Sequence, residues 1–195
     1  ALQPLHKDRI PVVIKNTNRP QDKGTFIVHD REINSKNVIS GISCDKDFTV
    51  INIKKYLMNR QVGFTRKILG VLEDYNISFD HMPSGIDNIS LVMRSDQIRD
   101  VESRVLNDIQ KYCDVDELSI DHDLAILMIV GEGMNRVIGT ASKITHALAE
   151  SNINLKMINQ GASEISMMFG IKLEDAEKAV KATYEFCYHG ICIKD

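Results

Sequence analysis

The sequence has no tryptophan and only four cysteines in 195 residues. Cys44, Cys113, Cys187 and Cys192 form no Cys-x-x-Cys pair and nothing implies secretion, so they read as reduced thiols of a cytoplasmic protein. Cys187, His189 and Cys192 lie close together, but under the usual spacings of zinc ligands the cysteines read better as small, apolar, buried residues, and no metal is expected. Basic charge is not in excess either: 24 Lys and Arg face 27 Asp and Glu, a net charge of −3 with a pI near 6.1. That argues against a nucleic-acid partner, which calls for a basic footprint. No apolar run approaches the roughly 20 residues needed to cross a bilayer, so no membrane partner is expected. The N-terminus lacks a signal peptide and an initiator Met, which fits a piece cut from a longer chain. Gly131-Glu132-Gly133 has no third glycine and carries little weight as a nucleotide signature; no cofactor is expected in this stretch.

What is present is a repeat. Met58–Gly63 reads MNRQVG, and 76 residues further on (58 to 134) Met134–Gly139 reads MNRVIG. The same shift carries Lys67 onto Lys143, Leu72 onto Leu148, Asn76-Ile77 onto Asn152-Ile153, Gly85 onto Gly161 and Ile89-Ser90 onto Ile165-Ser166. An internal repeat outranks any local motif in choosing a fold. In each copy an apolar run (Phe48–Leu57; Leu124–Val130) predicts a strand, a glycine turn follows, and then a helix. The first helix aligns Phe64, Ile68, Val71, Leu72 and Tyr75 on one face; the second aligns Thr140, Ile144, Ala147 and Leu148. Two extended segments come next, Ile77–Met82 with Ile89–Met93 and Leu155–Ile158 with Glu164–Phe169. A second helix and a last strand complete each copy: Ile98–Ile109 and Asp116–Ile120 in the first, Glu174–Cys187 and Gly190–Ile193 in the second. The order β-α-β-β-α-β, twice, predicts an α+β fold of two ferredoxin-like units. Upstream, Ile10–Lys15 and Thr25–Val28 read as short strands around a loop, where turn chemistry accounts for Asn16 and Thr17.

The repeated turn carries the chemistry. A glycine turn ending at a helix N-terminus offers free N–H groups and the positive end of the helix dipole, a seat for a carboxylate. A bare turn needs no Met-Asn-Arg before its glycine, and this one has it twice. Asp80, in the strand after the first helix, is expected near the mouth of the turn, where it would take the ammonium of a zwitterion. The matching residue in the second copy is Lys156, so the first copy is the expected site for a cationic ligand.

These residues resemble a known family. Ile10–Thr25 (IPVVIKNTNRPQDKGT), Gly63–Ser90 and Gly139–Ser166 look like the C-terminal regulatory region of aspartokinases, with tandem ACT units of the lysine-responsive class. The resemblance implies that the first ACT unit, 35–118, is inserted into a second built from 8–34 and 119–195, with Ile10–Lys15 joining the second unit's sheet. Residues 1–7 would be the tail of a preceding kinase domain, whose nucleotide motifs are not in this stretch and whose cofactors would be ATP and Mg. It also implies an end-product effector, lysine with threonine as a further candidate, bound at or near the junction of a homodimer. By position the effector site takes Met58, Asn59, Arg60, Gly63, Phe64, Thr65, Asp80, Ser84, Gly85 and Asp87. The family's Ser-Glu pair is replaced here by Gly85-Ile86, which leaves open whether Asp80 or Asp87 meets a lysine ε-ammonium. A second candidate effector site takes Asn135, Gly139, Thr140, Gln160, Ser163 and Glu164. Two other readings fit the residues: an ACT-type module of another enzyme or regulator, and a structural dimerisation domain without a ligand. An RNA-binding ferredoxin-like domain is disfavoured by the lack of Trp, of an aromatic-rich central strand and of a basic face.

Overall fold

The computed structural model describes residues 3–29, 38–163 and 165–189, and the chain divides into two compact bodies, residues 1–37 and 38–195. The N-terminal body has a short helix, α1 (Gln3–Lys7), and an antiparallel ribbon of β1 (Val12–Ile14) and β2 (Thr25–Ile27). Its loop is an Asx turn, with the Asn18 N–H donating to Asn16 Oδ1 at 2.9 Å. The loop ends at Gly24, with φ +73 and room for no side chain, since a Cβ would fall 2.5 Å from the Ile14 carbonyl oxygen.

The main body runs β3 (Gly41–Lys54), α2 (Phe64–Asp74), β4 (Asn88–Arg94), α3 (Ser95–Ile98), α4 (Glu102–Cys113), β5 (Glu117–Val130), α5 (Thr140–Glu150), β6 (Met157–Gln160), β7 (Ser166–Lys172) and α6 (Ala176–His189). Its five strands form one antiparallel sheet in the order β4-β3-β5-β7-β6. β3 and β5 each serve both copies. The Phe48–Lys54 half of β3 lies between β4 and the start of β5, while Gly41–Asp45 pairs with Ile126–Val130, the strand that opens the second copy. The two copies are therefore interleaved ferredoxin-like units on a shared sheet, the first threaded into the second. The strand lent to the second copy from upstream is Gly41–Asp45 rather than Ile10–Lys15, whose Val12–Ile14 segment pairs with Thr25–Ile27 instead. β-Branched runs announce a strand but not its partner, and Gly41–Asp45, with glycine, serine and aspartate, has weak strand character of its own.

The segments read as separate strands at Asp116–Ile120 and Leu124–Val130 are one strand, bent where Asp123 takes φ 56. Opposite it, the register of β3 shifts between Asp45 and Val50 around Asp47, φ 66. Bulges of this kind bend a strand and sharpen its twist, and the sheet curls here. The helices cover one face over two cores. Ile51, Ile53, Leu91 and Met93 meet Phe64, Ile68, Val105 and Ile109 in the first; Leu127, Ile129 and Phe169 meet Ile144, Leu148, Ala176 and Ala179 in the second. The other face has a small cluster of its own at the bend, Phe48, Val50, Val92, Leu124 and Ile126.

The repeated Asn-Ile is a helix stop. Asn76 and Asn152 take left-handed φ of 55 and 50, and the next N–H closes back on the helix, Ile77 to Leu72 at 2.9 Å and Ile153 to Leu148 at 3.1 Å. Asparagine tolerates that conformation, and the buried isoleucine after it packs under the last turn. Beyond the stop, the Asp80 and Lys156 N–H groups both donate 2.8 Å bonds, to the Val92 and Gly170 carbonyls. Those acceptors differ by 78, not 76 (92 to 170). Lys54 pairs with Asn88, but Val130 pairs with Ser166, so the second copy carries two more residues in its hairpin. The sequence match of Ile89 with Ile165 is thus not a structural one: Ile89 is buried and Ile165 is 45% exposed, its place in the core being taken by Met167. A shift of two keeps every side chain on its face, so the sequence repeat and the structure share one inward–outward pattern. Of the other predicted elements, Ile77–Met82 is not a continuous strand: Asp80 and His81 bond the Val92 backbone, and a second isolated bridge follows at Ser84–Ile89. The predicted strand at Gly190–Ile193 and the boundary at 34/35 lie outside the described residues.

Candidate functional site

After β3 the chain turns through a single 3-10 turn, Met58–Arg60, and enters α2 at Gly63. Gly63 has φ 81 with nothing within 4 Å of a would-be Cβ, so the backbone angle alone selects glycine there. No side chain caps the helix. The first N–H, that of Phe64, bonds the Gln61 carbonyl at 3.3 Å, and the rest of the opening turn carries the positive end of the helix dipole near Arg60, which is exposed, and Thr65, which is half-buried. Met58 and Phe64 are buried in the first core and anchor the turn rather than present themselves to a ligand.

The hairpin before β4 grips this turn from the side. The Asp87 carboxylate accepts the Leu57 N–H at 2.8 Å, the Asp87 carbonyl accepts Lys55 N–H at 2.9 Å, and the Ile86 carbonyl accepts Asn59 N–H at 3.2 Å. These bonds hold Leu57 in a left-handed conformation, φ 56. Asp87 is thus already a cap for the 3-10 turn, while Ser84 and Gly85 sit at the same end of the sheet. Sequence reasoning missed the partner of this grip. Lys55, nearly buried, places its Nζ 3.0 Å from Asp114 and 3.4 Å from Asp116, and the Asp116 carboxylate accepts the Tyr56 N–H at 2.6 Å. Those contacts join residues about 60 apart, and no local pattern signals them.

The second copy repeats the helix entry with different fastenings. Gly139 has φ 87 and again opens an uncapped helix. Thr140, in the place of Phe64, turns its hydroxyl back to the Val137 carbonyl at 2.9 Å instead of filling a core. Asn135 and Ser163 are exposed, Gln160 ends β6, and Glu164 lies outside the described residues. A further signal was legible and unread: Val62 and Ile138, equivalent residues just before the two glycines, are 102% and 99% exposed.

Asp80 stands apart from the turn. Its N–H meets Val92, four residues along β4 from Asn88, the partner of Lys54 where the turn begins. At a rise of about 3.3 Å per residue that is roughly 13 Å. Its charge acts at the other end of the strand on Arg94, whose guanidinium, bound chiefly to Asp45, is held above its usual pKa. Next to it, His81 has a buried Nε2 with no hydrogen-bond partner, and burial pushes its pKa below the usual value. Among the described residues no three His, Cys, Asp or Glu side chains are placed to hold a metal; the Cys187 thiol is pushed by burial up to about 11. Among them, too, no helix is long and apolar enough to cross a membrane.

Residues 127–185 match the ACT domain family. Over 194 residues the chain is 42% identical to aspartokinase 3 of Bacillus subtilis, covering 99% of this chain and 42% of that protein. The allosteric aspartate kinase of Clostridium acetobutylicum superposes with a TM-score of 0.90 at 44% identity, over 97% of this chain and 44% of that one. Aspartokinase III of E. coli, solved with lysine and aspartate in a T-state, shares the fold with a TM-score of 0.76 at 21% identity, over 96% of this chain and 41% of that one. The chain spans about two-fifths of the length of these relatives.

Proposed function

The chain is homologous to the ACT-bearing regulatory region of aspartokinases, and we propose that it senses an end-product amino acid for feedback inhibition of such a kinase. The observation that carries this reading is the pair of helices, each opened by a left-handed glycine behind Met-Asn-Arg and left without a side-chain cap. An α-carboxylate seated on the first helix end meets the N–H groups of the first turn and the field of Arg60. The effector is lysine, with threonine as the further candidate, in line with the E. coli relative solved with lysine and aspartate. Asp87 is engaged with the Leu57 N–H, which leaves Asp80 to take the lysine ε-ammonium.

Asp80 lies too far along its own strand to reach a ligand at its own helix end, so a junction between two copies is the arrangement in which both contribute. The exposed Val62 and the irregular edge segment at His81–Ser84, paired on one side only, supply surface for such a homodimer. Phosphorylation of L-aspartate with ATP and Mg would belong to the kinase domain, with the protein in the cytoplasm. Effector binding moves the equilibrium between two dimer arrangements by its differential affinity for them.

A thermal-shift screen of the protein amino acids tests this. Lysine at about 100 times its dissociation constant raises the unfolding free energy by roughly 2.7 kcal/mol. No shift with lysine or threonine, singly or together, removes the proposal. An Asp80→Ala protein that keeps its full lysine response removes the role given to Asp80 alone.

A further inference from the structure

The face of the sheet turned away from the helices holds a groove of about 340 Å³, at the small end of the roughly 300–1,000 Å³ typical of ligand pockets. The curl of the sheet brings both of its margins to this groove, the Ser84–Gly85 hairpin of the first copy and the Lys156–Ile158 margin of the second. Val50, Leu124 and Ile126 form an apolar floor, with Met157 against it. Across the floor runs a polar row. Ser90 Oγ donates to Asn52 Oδ1 at 2.9 Å, Asn52 Nδ2 donates to Asp121 Oδ2 at 3.2 Å, and Lys156 Nζ stands 3.9 Å from the same Asp121 oxygen. That last distance is beyond a direct N–H···O bond of about 2.7–3.2 Å. Anion and cation face each other across a gap, and the anion is fixed in place by a side-chain amide that is itself held by a hydroxyl.

We propose that this groove binds a free α-amino acid with an apolar side chain, inside one copy of the chain and apart from the helix-end turns. The α-ammonium meets Asp121, the α-carboxylate meets Lys156, and the side chain lies on the Val50–Leu124–Ile126 floor. Ammonium and carboxylate on one carbon suit a cation and an anion held close together; a simple anion or a neutral metabolite satisfies only one of them. An exposed ion pair by itself contributes little. The row from Ser90 through Asn52, which orients the carboxylate above an apolar floor, distinguishes this pair from an ordinary surface contact.

The test is NMR of the protein labelled with ¹³C-methyl methionine, with L-leucine as the probe. Met157 reports on the groove and Met58 on the helix-end turn. Leucine is expected to move the Met157 methyl resonance and leave Met58 in place. Leucinol, without the carboxylate, and 4-methylpentanoate, without the ammonium, are each expected to bind at least about tenfold more weakly, the loss of one charge-assisted contact. Asp121→Asn and Lys156→Gln, which keep the shapes, are expected to weaken leucine by the same factor. A Met157 signal unmoved by millimolar leucine overturns the proposal, as does a response to either analogue as strong as that to leucine. A Met157 shift that follows protein concentration rather than leucine also overturns it, since a second copy then fills the groove. Should either substitution unfold the chain, the analogue pair still decides. Lysine run in parallel keeps the two readings separate: a silent Met58 with a leucine-responsive Met157 sinks the helix-end reading and leaves this one standing.

Discussion

The two copies share a fold and differ in how their turns are fastened. In the first, Phe64 is driven into the core and Asp87 clamps the backbone before the helix. In the second, Thr140 ties back to Val137 by its hydroxyl, and the residue in the place of Asp87, with its hairpin two residues longer, is Ile165, whose carbonyl accepts the Gly131 N–H at 2.8 Å but whose side chain has no acceptor. The helix entries have nearly the same backbone angles, φ 81 and 87, yet one turn is braced from a neighbouring hairpin and the other by its own helix. Past the helices the copies carry opposite charges at one place, Asp80 and Lys156, each tied by its N–H to the neighbouring strand. Closely similar scaffolds can therefore carry surfaces of opposite sign, because side chains at a sheet margin are free of the packing that fixes the core.

The comparison breaks most readily through the core. β3 and β5 run unbroken through both copies, so the two are expected to unfold together. Phe169→Ala, at a fully buried site of the second copy, should cost about 3–5 kcal/mol. Hydrogen exchange should then show β4 of the first copy losing protection along with β7; protection lost from β7 alone would mean that the copies are independent.

The turns come next. Asp87→Ala removes a charged acceptor from the Leu57 N–H and should cost about 1–2 kcal/mol in denaturant unfolding, whereas Ile165→Ala, at the matching, half-exposed place in the second copy, should stay within about 0.5 kcal/mol. Equal costs would show that the brace is not particular to the first copy. Gly63→Ala and Gly139→Ala should each cost about 1 kcal/mol, and by the same amount, because both glycines hold left-handed φ and neither has a neighbour for the new methyl. Unequal costs would point to a difference in backbone strain that the shared angles do not suggest.

The smallest effect concerns pH. Burial lowers the His81 pKa in the folded state, so the unfolded chain takes up the proton first as pH falls through about 6.5, the ordinary value for histidine. Stability contributed by the neutral imidazole is complete above that pH and declines below it, until the folded-state value is passed. The second copy places Met157 where the first has His81. His81→Met should therefore flatten the melting temperature between pH 7.5 and 5.5 relative to the unmodified protein; an unchanged slope would clear His81 of any part in it.

Much of this was legible in the chain. Helical periodicity placed Phe64, Ile68, Val71 and Leu72 against a core, and the repeated Asn-Ile marked the helix stops, since both depend on residues within a turn or two of each other. The glycines at 63 and 139 were equally plain, for a left-handed φ is a local demand. The candidate site was less so. Asp80 read as a neighbour of the turn because sequence order says nothing about how far along a strand a residue lies from the strand's end. The brace from Asp87, and that of Lys55 by Asp114 and Asp116, join segments about 30 and 60 residues apart.

By itself, then, the sequence determined that one α/β unit occurs twice, where its first helices begin and end, and which residues fill its cores. Tertiary structure decided which strand the second copy borrows, the two-residue difference between the hairpins, and the meeting of Asn52, Asp121 and Lys156 in one groove. The division follows from range: helix periodicity and backbone angles are set by near neighbours, while strand pairing closes loops of any length and keeps every face in place when its register moves by two.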